Sequence, residues 1–283
     1  MHTTITFKGN PVTLVGRGLN LNSLASDFRV ISAESEELNL GKFAGKIKLI
    51  TTFPSLDTPV CDLQVKEFNQ KAAGLTKEVV VLGVSKDLPF AQKRFCESFD
   101  IENIVLASDY KFSSFGINYG LLIKELNLLA RAIIILDKNN IIRYIQIVKE
   151  LTQPPNYQEA LEALEEIVKS PALTITTELP SKCKPCETGT PALPKEKIER
   201  LLAQYRGWQL VEDKKLVKEL KFKDFVEAKY FLDLVAIIAE EQGHHPTITI
   251  TYNKLKVTLT THAAGGLTEN DFIMARIIDE LSG

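Results

Sequence analysis

The sequence has few of the residues that build disulfide scaffolds or metal-rich sites. It contains 4 cysteines, 4 histidines and 1 tryptophan in 283 residues. So few cysteines in a chain of this length do not match the dense disulfide framework of a small secreted domain. We therefore expect the cysteines to serve redox chemistry, metal binding or buried packing.

The sequence also lacks a dominant charge sign and a long apolar run. Its 34 basic and 36 acidic residues give a net charge of −2, so we expect neither a nucleic-acid partner nor an anionic membrane. No apolar stretch approaches the about 20 residues of a transmembrane helix. The start, MHTTITFKGNPVTLVG, lacks the basic region and apolar core of a signal peptide. We expect a cytoplasmic protein with small-molecule or protein partners.

Length and composition predict two domains. A chain of 283 residues with 45% hydrophobic content can bury two cores. The stretch SPALTITTELPSKCKPCETGTPALP is rich in proline, serine and threonine, which is typical of a linker. We place one domain at 1–168, a linker at 169–191 and a second domain at 192–283.

The first domain has the pattern of an α/β fold. The β-branched runs at 46–53, 79–85 and 132–137 alternate with helical patterns, which favours a sheet covered on both faces. A hairpin precedes them, with strands predicted at 4–7 and 12–15.

The second domain has the pattern of an α+β fold. We predict a helix at 195–204, strands at 208–211 and 215–222, a helix at 224–242, two more strands and a final helix. Short connections between strands predict an antiparallel sheet. On the long helix, residues at helical spacing form a stripe predicted to pack against the sheet: Phe225, Ala228, Leu232, Val235 and Ala239.

The stretch FPSLDTPVCDLQVKEFN predicts a reactive cysteine at a helix start. Thr58 is a favoured N-cap residue and Pro59 a favoured first helical residue, which leaves Cys61 in the first turn. Unpaired backbone N–H groups and the helix dipole stabilise a thiolate there. Such a thiolate can attack a peroxide oxygen and become a sulfenic acid, with which a second thiol must condense.

Cys96, in SKDLPFAQKRFCESF, is the candidate for that second thiol. It lies two turns into a helix predicted to begin near Pro89, and its neighbours Phe95 and Phe99 indicate a partly buried face. A disulfide with Cys61 would then require local unfolding, because the two Cβ atoms must approach closely.

At these residues the chain resembles the atypical two-cysteine peroxiredoxins called thiol peroxidases. The resemblance covers nearly all of 1–168 and rests on TFKGNPVTL, FPSLDTPVC, SKDLPFAQKRFC and Arg131 before AIIILD. It implies a thioredoxin-like fold, Cys61 as peroxidatic cysteine and Cys96 as resolving cysteine. It also implies peroxide substrates and thioredoxin as the reductant.

The resemblance further implies a shell around the sulfur made of Pro54, Thr58 and Arg131. Thr58 can donate a hydrogen bond to the sulfur or orient the peroxide, and Arg131 supplies a fixed positive charge. Pro54 can shield the site from water.

Three of the 4 histidines, His244, His245 and His262, fall in one short window of the second domain. Gly243 predicts a helix C-cap just before the pair, and Pro246 fixes the exit into a strand. Strand alternation places His262 on a polar face, so the three imidazoles could converge at one sheet edge. The pattern by itself is compatible with acid/base catalysis or with a three-histidine metal site.

The segment EEQGHHPTITITYNKLKVTLTTHAAGGLTENDF is similar to the signature of pterin-4a-carbinolamine dehydratases, and KCKPCETGTPAL and Gly207-Trp208 also agree. This resemblance extends from about Lys182 to the end. It implies a four-stranded antiparallel sheet with helices on one face. It also implies elimination of water from a 4a-hydroxytetrahydropterin to give quinonoid dihydropterin, without a metal or bound cofactor, since the pterin is the substrate.

Motif correspondence makes His244 and His262 acid/base candidates and His245 a substrate-binding or orienting residue. Glu241 is a candidate for orienting an imidazole, with an ordinary exposed helix residue as the alternative. Asp271 matches the family pattern for substrate binding, but Thr268-x-x-Asp271 also predicts a helix-start cap.

The sequence leaves three interpretations of Cys183 and Cys186 open: a redox dithiol, half of a zinc site, or an inherited segment without a role. The sharper hypothesis is a dithiol that reduces the Cys61–Cys96 disulfide by intramolecular exchange. Two non-enzymatic alternatives also stay open: a peroxide sensor or disulfide relay in the first domain, and a dimerisation or binding module in the second. Both resemblances imply a homo-oligomer.

Overall fold

The computed structural model describes residues 4–175, 177–187 and 189–282. The chain forms two compact units, Met1–Thr176 and Thr177–Gly283. The boundary between them falls inside the segment predicted as a linker, and part of that segment, around Cys183, is packed within the second unit. Within the described ranges, every helix is too short or too polar to cross a bilayer.

The first unit alternates strands and helices after an initial hairpin. Its strands are β1 Thr4–Phe7, β2 Asn10–Val15, β3 Val30–Ser32, β4 Glu37–Leu38, β5 Ile47–Thr52, β6 Val79–Ser85, β7 Val105–Ser108, β8 Leu122–Ile123, β9 Leu128–Leu129, β10 Ala132–Leu136 and β11 Ile142–Ile147. Its helices are α1 Pro59–Ala72, α2 Pro89–Ser98, α3 Ser114–Asn118 and α4 Tyr157–Lys169, with a 3₁₀ turn at Leu40–Phe43.

A seven-stranded mixed sheet, in the order β11-β10-β5-β6-β7-β3-β4, forms the centre of this unit. Strand β6 runs parallel to β5 and β7, and the other pairings are antiparallel. Successive side chains of a strand enter opposite faces, so Leu49 packs into a core with α1, α2 and α4, while Ile50 packs into a core with the hairpin and α3. The α/β architecture with a sheet covered on both faces is confirmed.

The second unit is a four-stranded antiparallel sheet, in the order β12-β13-β15-β14, with helices. Its elements are α5 Lys195–Leu202, β12 Gln209–Val211, β13 Lys215–Lys221, α6 Phe225–Gln242, β14 Thr247–Thr251, β15 Lys254–Leu259, a 3₁₀ turn His262–Ala264 and α7 Glu269–Ser282. In β15, Leu255, Val257 and Leu259 are buried and alternate with more exposed residues. The sheet therefore has one covered and one open face, as predicted.

Two details of the second unit differ from the prediction. Phe225 is 48% exposed, because it is the first residue of α6. The buried face of α6 includes the predicted Ala228, Val235 and Ala239. It extends to Phe231, Leu234 and Ile238, because the helix packs against α7 as well as against β15. His262 does not extend a strand, because β15 ends at Leu259 and the chain turns back there.

Candidate functional site

Cys61 is the third residue of α1 and its side chain is fully buried. Thr58 occupies the N-cap position and Pro59 begins the helix, so the local sequence sets where the helix starts. The Thr58 side chain makes no hydrogen bond to the helix backbone. Its hydroxyl instead donates to Cys61 Sγ at 2.8 Å, with the Ser55 carbonyl oxygen 3.3 Å away.

Arg131 contacts the same sulfur from the neighbouring strand. Strand β10 pairs with β5 so that Ala132 lies opposite Thr52, which brings Arg131 to the end of β5 that leads into α1. The guanidinium is 1% exposed, and its Nη2 donates to Cys61 Sγ at 3.3 Å. A buried guanidinium this close stabilises negative charge on the sulfur.

Two further groups fix the Arg131 guanidinium. The Leu151 carbonyl oxygen accepts from Nε at 3.2 Å and from Nη2 at 3.0 Å. The hairpin holds this carbonyl in place, because the Leu151 N–H donates to Thr6 O at 2.8 Å. Next to it, hydrogen bonds from Thr152 and Thr6 hold the pKa of Glu150 well below its usual range.

Gln64, one turn after Cys61 on α1, is the second group. It is fully buried; its Oε1 accepts from Arg131 Nη1, and its Nε2 donates to Thr51 Oγ1 at 2.5 Å. Sequence reasoning missed this residue. The available signal was an amide three residues after the cysteine, on the buried face of the same helix.

A cavity of about 360 Å³ lies beside the two side chains that donate to the sulfur. Thr58 and Arg131 line it together with Pro54, which is buried. The rest of the lining is mainly apolar and includes Phe7, Pro59, Val60, Leu126, Leu128 and Leu151. Two residues of this lining, Thr58 and Arg131, also contact the buried Cys61 sulfur.

Cys96 lies on α2, on the same side of the sheet as Cys61. Both cysteines are unpaired, and Cys96 is half-buried. Burial raises the pKa of the Cys96 thiol, and the Glu34 carboxylate adds to the increase. The thiol is therefore protected while α2 stays folded.

In the second unit, His244 and Asp271 form a buried pair. His244 Nε2 lies 2.8 Å from Asp271 Oδ1, and Asp271 is fully buried. The other carboxylate oxygen, Oδ2, accepts from the Thr261 hydroxyl at 2.8 Å and from the Thr268 N–H at 2.7 Å. Asp271 therefore caps the start of α7 and also orients the His244 imidazole.

The other two histidines have different surroundings. His245 is exposed, and its Nε2 lies 2.9 Å from Glu240 Oε1. His262 begins the 3₁₀ turn and is exposed. In the described part of the chain, no group of three His, Cys, Asp or Glu side chains is arranged to hold a metal ion.

Cys183 and Cys186 are both unpaired, and Cys183 is buried while Cys186 is half-buried. They lie against Asn270, the residue before Asp271. No local pattern predicted this proximity, because Cys186 and Asn270 lie 84 positions apart.

Comparison with known proteins divides the chain in the same way. Residues 21–161 match the Redoxin family model, and residues 191–281 match the model described as pterin 4 alpha carbinolamine dehydratase. A thiol peroxidase from Staphylococcus saprophyticus is 46% identical over 163 residues, which cover 58% of this chain and 98% of the relative.

Two solved structures are similar to parts of the chain. A peroxiredoxin-like protein from Aquifex aeolicus is 43% identical, with a TM-score of 0.56, and the match covers 59% of this chain and 98% of that one. A protein from Brucella melitensis described as a transcriptional coactivator/pterin dehydratase is 36% identical, with a TM-score of 0.32, over 32% of this chain and 99% of that one. The first unit has the thioredoxin-like peroxiredoxin fold.

Proposed function

Since the chain belongs to the thiol peroxidases through its first unit and carries a pterin 4 alpha carbinolamine dehydratase domain in its second, we propose that it is a bifunctional enzyme. The first activity reduces hydrogen peroxide and organic hydroperoxides, with Cys61 as nucleophile, Cys96 as resolving thiol and thioredoxin as reductant. The second dehydrates 4a-hydroxytetrahydropterin to quinonoid dihydropterin.

The contacts at Cys61 carry the first proposal. The ionised sulfur attacks the terminal peroxide oxygen, the O–O bond breaks, and the alcohol or water leaves after taking a proton. Thr58 Oγ1 at 2.8 Å and Arg131 Nη2 at 3.3 Å supply donors for the thiolate and for the oxygens that gain charge. Cys61 is left as a sulfenic acid.

The cavity supports an organic hydroperoxide with an apolar tail as a good substrate. Its lining is mainly apolar apart from the groups around the sulfur, such as Thr58 and Arg131. An apolar tail in this space gains free energy at about 25 cal/mol per Å² of apolar surface removed from water. Hydrogen peroxide gains nothing from that part of the wall.

The sulfenic acid is then resolved by Cys96. The Cys96 sulfur attacks the Cys61 sulfur, water leaves, and a disulfide forms. Because Cys61 is fully buried in α1 and Cys96 half-buried in α2, we propose that α2 unfolds locally for this step. Thioredoxin then reduces the disulfide by thiol–disulfide exchange.

Trapping the intermediate tests this proposal. One equivalent of cumene hydroperoxide should leave a dimedone-reactive sulfenic acid on Cys61 in the Cys96→Ser variant, and an intramolecular disulfide in the unaltered chain. The Cys61→Ser variant should lack the rapid peroxide consumption of the unaltered chain. If Cys96→Ser instead accumulates mixed disulfides with other proteins in cells, the sensor or relay alternative is favoured.

The His244–Asp271 pair carries the dehydratase proposal. Elimination of water needs a proton delivered to the departing hydroxyl and one removed from a ring nitrogen, and an imidazole can perform either transfer near neutral pH. Asp271 fixes the orientation of His244 through the contact at 2.8 Å. His262 is the proposed second acid/base group, with His245 and Glu241 as substrate-contacting groups.

The rate of 4a-hydroxytetrahydropterin dehydration tests this half. We expect the purified chain to exceed the spontaneous rate, and His244→Ala and His262→Ala each to lose most of that excess. Cys61→Ser serves as the control, because it removes the first activity without touching the second unit. A rate equal to the spontaneous one would favour a dimerisation or binding module.

A further inference from the structure

The segment Cys183-Lys184-Pro185-Cys186 places two reduced sulfurs on one residue of α7. Cys183 Sγ lies 3.7 Å from the Asn270 carbonyl oxygen, to which its S–H can donate. The Asn270 side-chain Nδ2 donates to Cys186 Sγ at 3.2 Å. Both sulfurs therefore contact Asn270, and no bond joins them.

The backbone of the segment is hydrogen-bonded to two residues that lie close in sequence to His244 and Asp271. The Lys184 N–H donates to Asn270 Oδ1 at 3.0 Å, and Asn270 Nδ2 donates back to the Lys184 carbonyl at 2.7 Å. Asn270 immediately precedes Asp271. On the other side, the Cys183 N–H donates to Gln242 Oε1 at 2.9 Å, two residues before His244.

We propose that Cys183 and Cys186 form a redox-active dithiol, and that closing their disulfide slows the dehydratase by disturbing the contact between Asp271 and His244. This inference rests on the proposed dehydratase function and concerns the regulation of that site. It assigns to the two cysteines a role within their own unit.

The chemistry balances with a hydroperoxide as oxidant. The Cys186 sulfur attacks one peroxide oxygen, the O–O bond breaks, and an alcohol leaves, so that Cys186 becomes a sulfenic acid. The Cys183 sulfur then attacks Cys186, and hydroxide leaves as water with the thiol proton. Two thiols and one hydroperoxide give a disulfide, an alcohol and water, and a small dithiol reverses the oxidation by exchange.

The surroundings decide which sulfur attacks first. Burial raises the pKa of Cys183 to about 12, and the Asp271 carboxylate adds to the increase. Cys186 is less buried and receives an N–H from Asn270. Cys186 is therefore the attacking sulfur and Cys183 the resolving one.

Oxidation must alter the contacts with Asn270. A disulfide has no S–H proton, so the Cys183 contact to the Asn270 carbonyl is lost. A disulfide also requires a Cβ–Cβ distance of about 3.5–4.5 Å. Pro185 has a fixed φ and restricts Lys184, so the short segment closes with a shift of Lys184 and of the Asn270 side chain bonded to it.

The test is a redox titration of the full chain in glutathione buffers. At each ratio, mass spectrometry quantifies the Cys183–Cys186 disulfide, and the dehydration rate is measured on the same sample. We expect the rate to fall about fivefold with the same midpoint as disulfide formation, the equivalent of one hydrogen bond. Cys186→Ser keeps Cys61 and Cys96, so its rate should not respond to the buffer.

Histidine NMR signals give a second measurement that does not depend on catalysis. The chain has 4 histidines, so the His244 ring signals can be assigned with a His244→Gln variant. We expect them to shift on oxidation of the unaltered chain but not of Cys186→Ser. If the reduced chain shows no dehydratase activity, the proposed function fails, and this shift alone decides whether the dithiol acts on His244.

Three results would overturn the inference. One is that no Cys183–Cys186 disulfide forms at any glutathione ratio. Another is a disulfide that forms while both the rate and the His244 signals stay unchanged. The third is a Cys186→Ser variant whose rate follows the buffer as closely as that of the unaltered chain.

Discussion

Replacing Thr58 by valine should separate a catalytic role of its hydroxyl from a helix-capping role. The substitution keeps the shape of the side chain and removes the oxygen that lies 2.8 Å from Cys61 Sγ. Valine tolerates the extended backbone of this position, where φ is −111° and ψ is 141°. The variant therefore changes one hydrogen bond and little else.

The expected effect on catalysis follows from the charge on the acceptor. Thr58 has one hydroxyl proton, and the ionised Cys61 sulfur is a stronger acceptor than the Ser55 carbonyl at 3.3 Å. A hydrogen bond to a charged group contributes about 1.5–3 kcal/mol. Its loss should lower kcat/KM for a hydroperoxide by about 10- to 150-fold.

The expected effect on stability is small. Loss of an N-cap side chain typically costs about 1 kcal/mol. The Thr58 hydroxyl makes no hydrogen bond to the backbone of α1, so that cost should be absent. We expect the free energy of opening α1 to change by less than about 0.5 kcal/mol.

The assay measures cumene hydroperoxide consumption by stopped flow with excess thioredoxin, and hydrogen exchange across 59–72 measures the stability of α1. Tryptophan fluorescence is unsuitable, because Trp208 is the chain's 1 tryptophan and lies in the second unit. Thr58→Ser, which keeps the hydroxyl, is the matched control and should stay near the unaltered rate. A Thr58→Val variant with normal turnover and a destabilised α1 would refute the reasoning.

Three further changes should be measurable. Gln64→Met leaves the Arg131 Nη1 group without its buried acceptor. The free energy of unfolding of the first unit, measured by urea unfolding followed by circular dichroism, should therefore fall by about 1–3 kcal/mol. Asp271→Asn removes the charge that faces His244, so the dehydration rate should fall at least about tenfold, and an unchanged rate would contradict the assigned pairing. Burial lowers the pKa of Lys48 from 10.5 to about 8. Between about pH 8 and pH 10.5, Lys48 binds a proton in the unfolded chain but not in the folded chain, so the free energy of unfolding should rise with pH over this range. The Lys48→Met variant should lack that rise.

Local sequence patterns predicted most of the architecture. The β-branched runs became β5, β6 and β10 within one residue at each end, because a buried strand in a covered sheet needs continuous apolar, β-branched side chains. The start of α1 was equally predictable, since Thr58 and Pro59 act through their own backbone geometry. The buried face of α6 was less predictable, because a helix that packs against two elements buries more than one narrow stripe.

Contacts between distant parts of the chain needed the tertiary structure. No periodicity links the Leu151 carbonyl to Arg131, because the contact depends on the hairpin that holds the loop in place. The same holds for Asn270 and the two cysteines of the C-x-x-C segment. Local sequence indicates the backbone conformation that each residue favours, whereas the hydrogen-bond partner of a buried polar group depends on which elements pack around it.

The sequence by itself therefore determined the two families of chemistry: a thiol at a helix start, and imidazoles at the end of a helix. Both signals depend on residue types at short spacing. The tertiary structure decided that Gln64 fixes Arg131, that Asp271 pairs with His244, and that His262 leaves the strand. These outcomes depend on where β10, α1 and α7 are packed, because hydrogen bonds between elements form only where the packing brings donor and acceptor together.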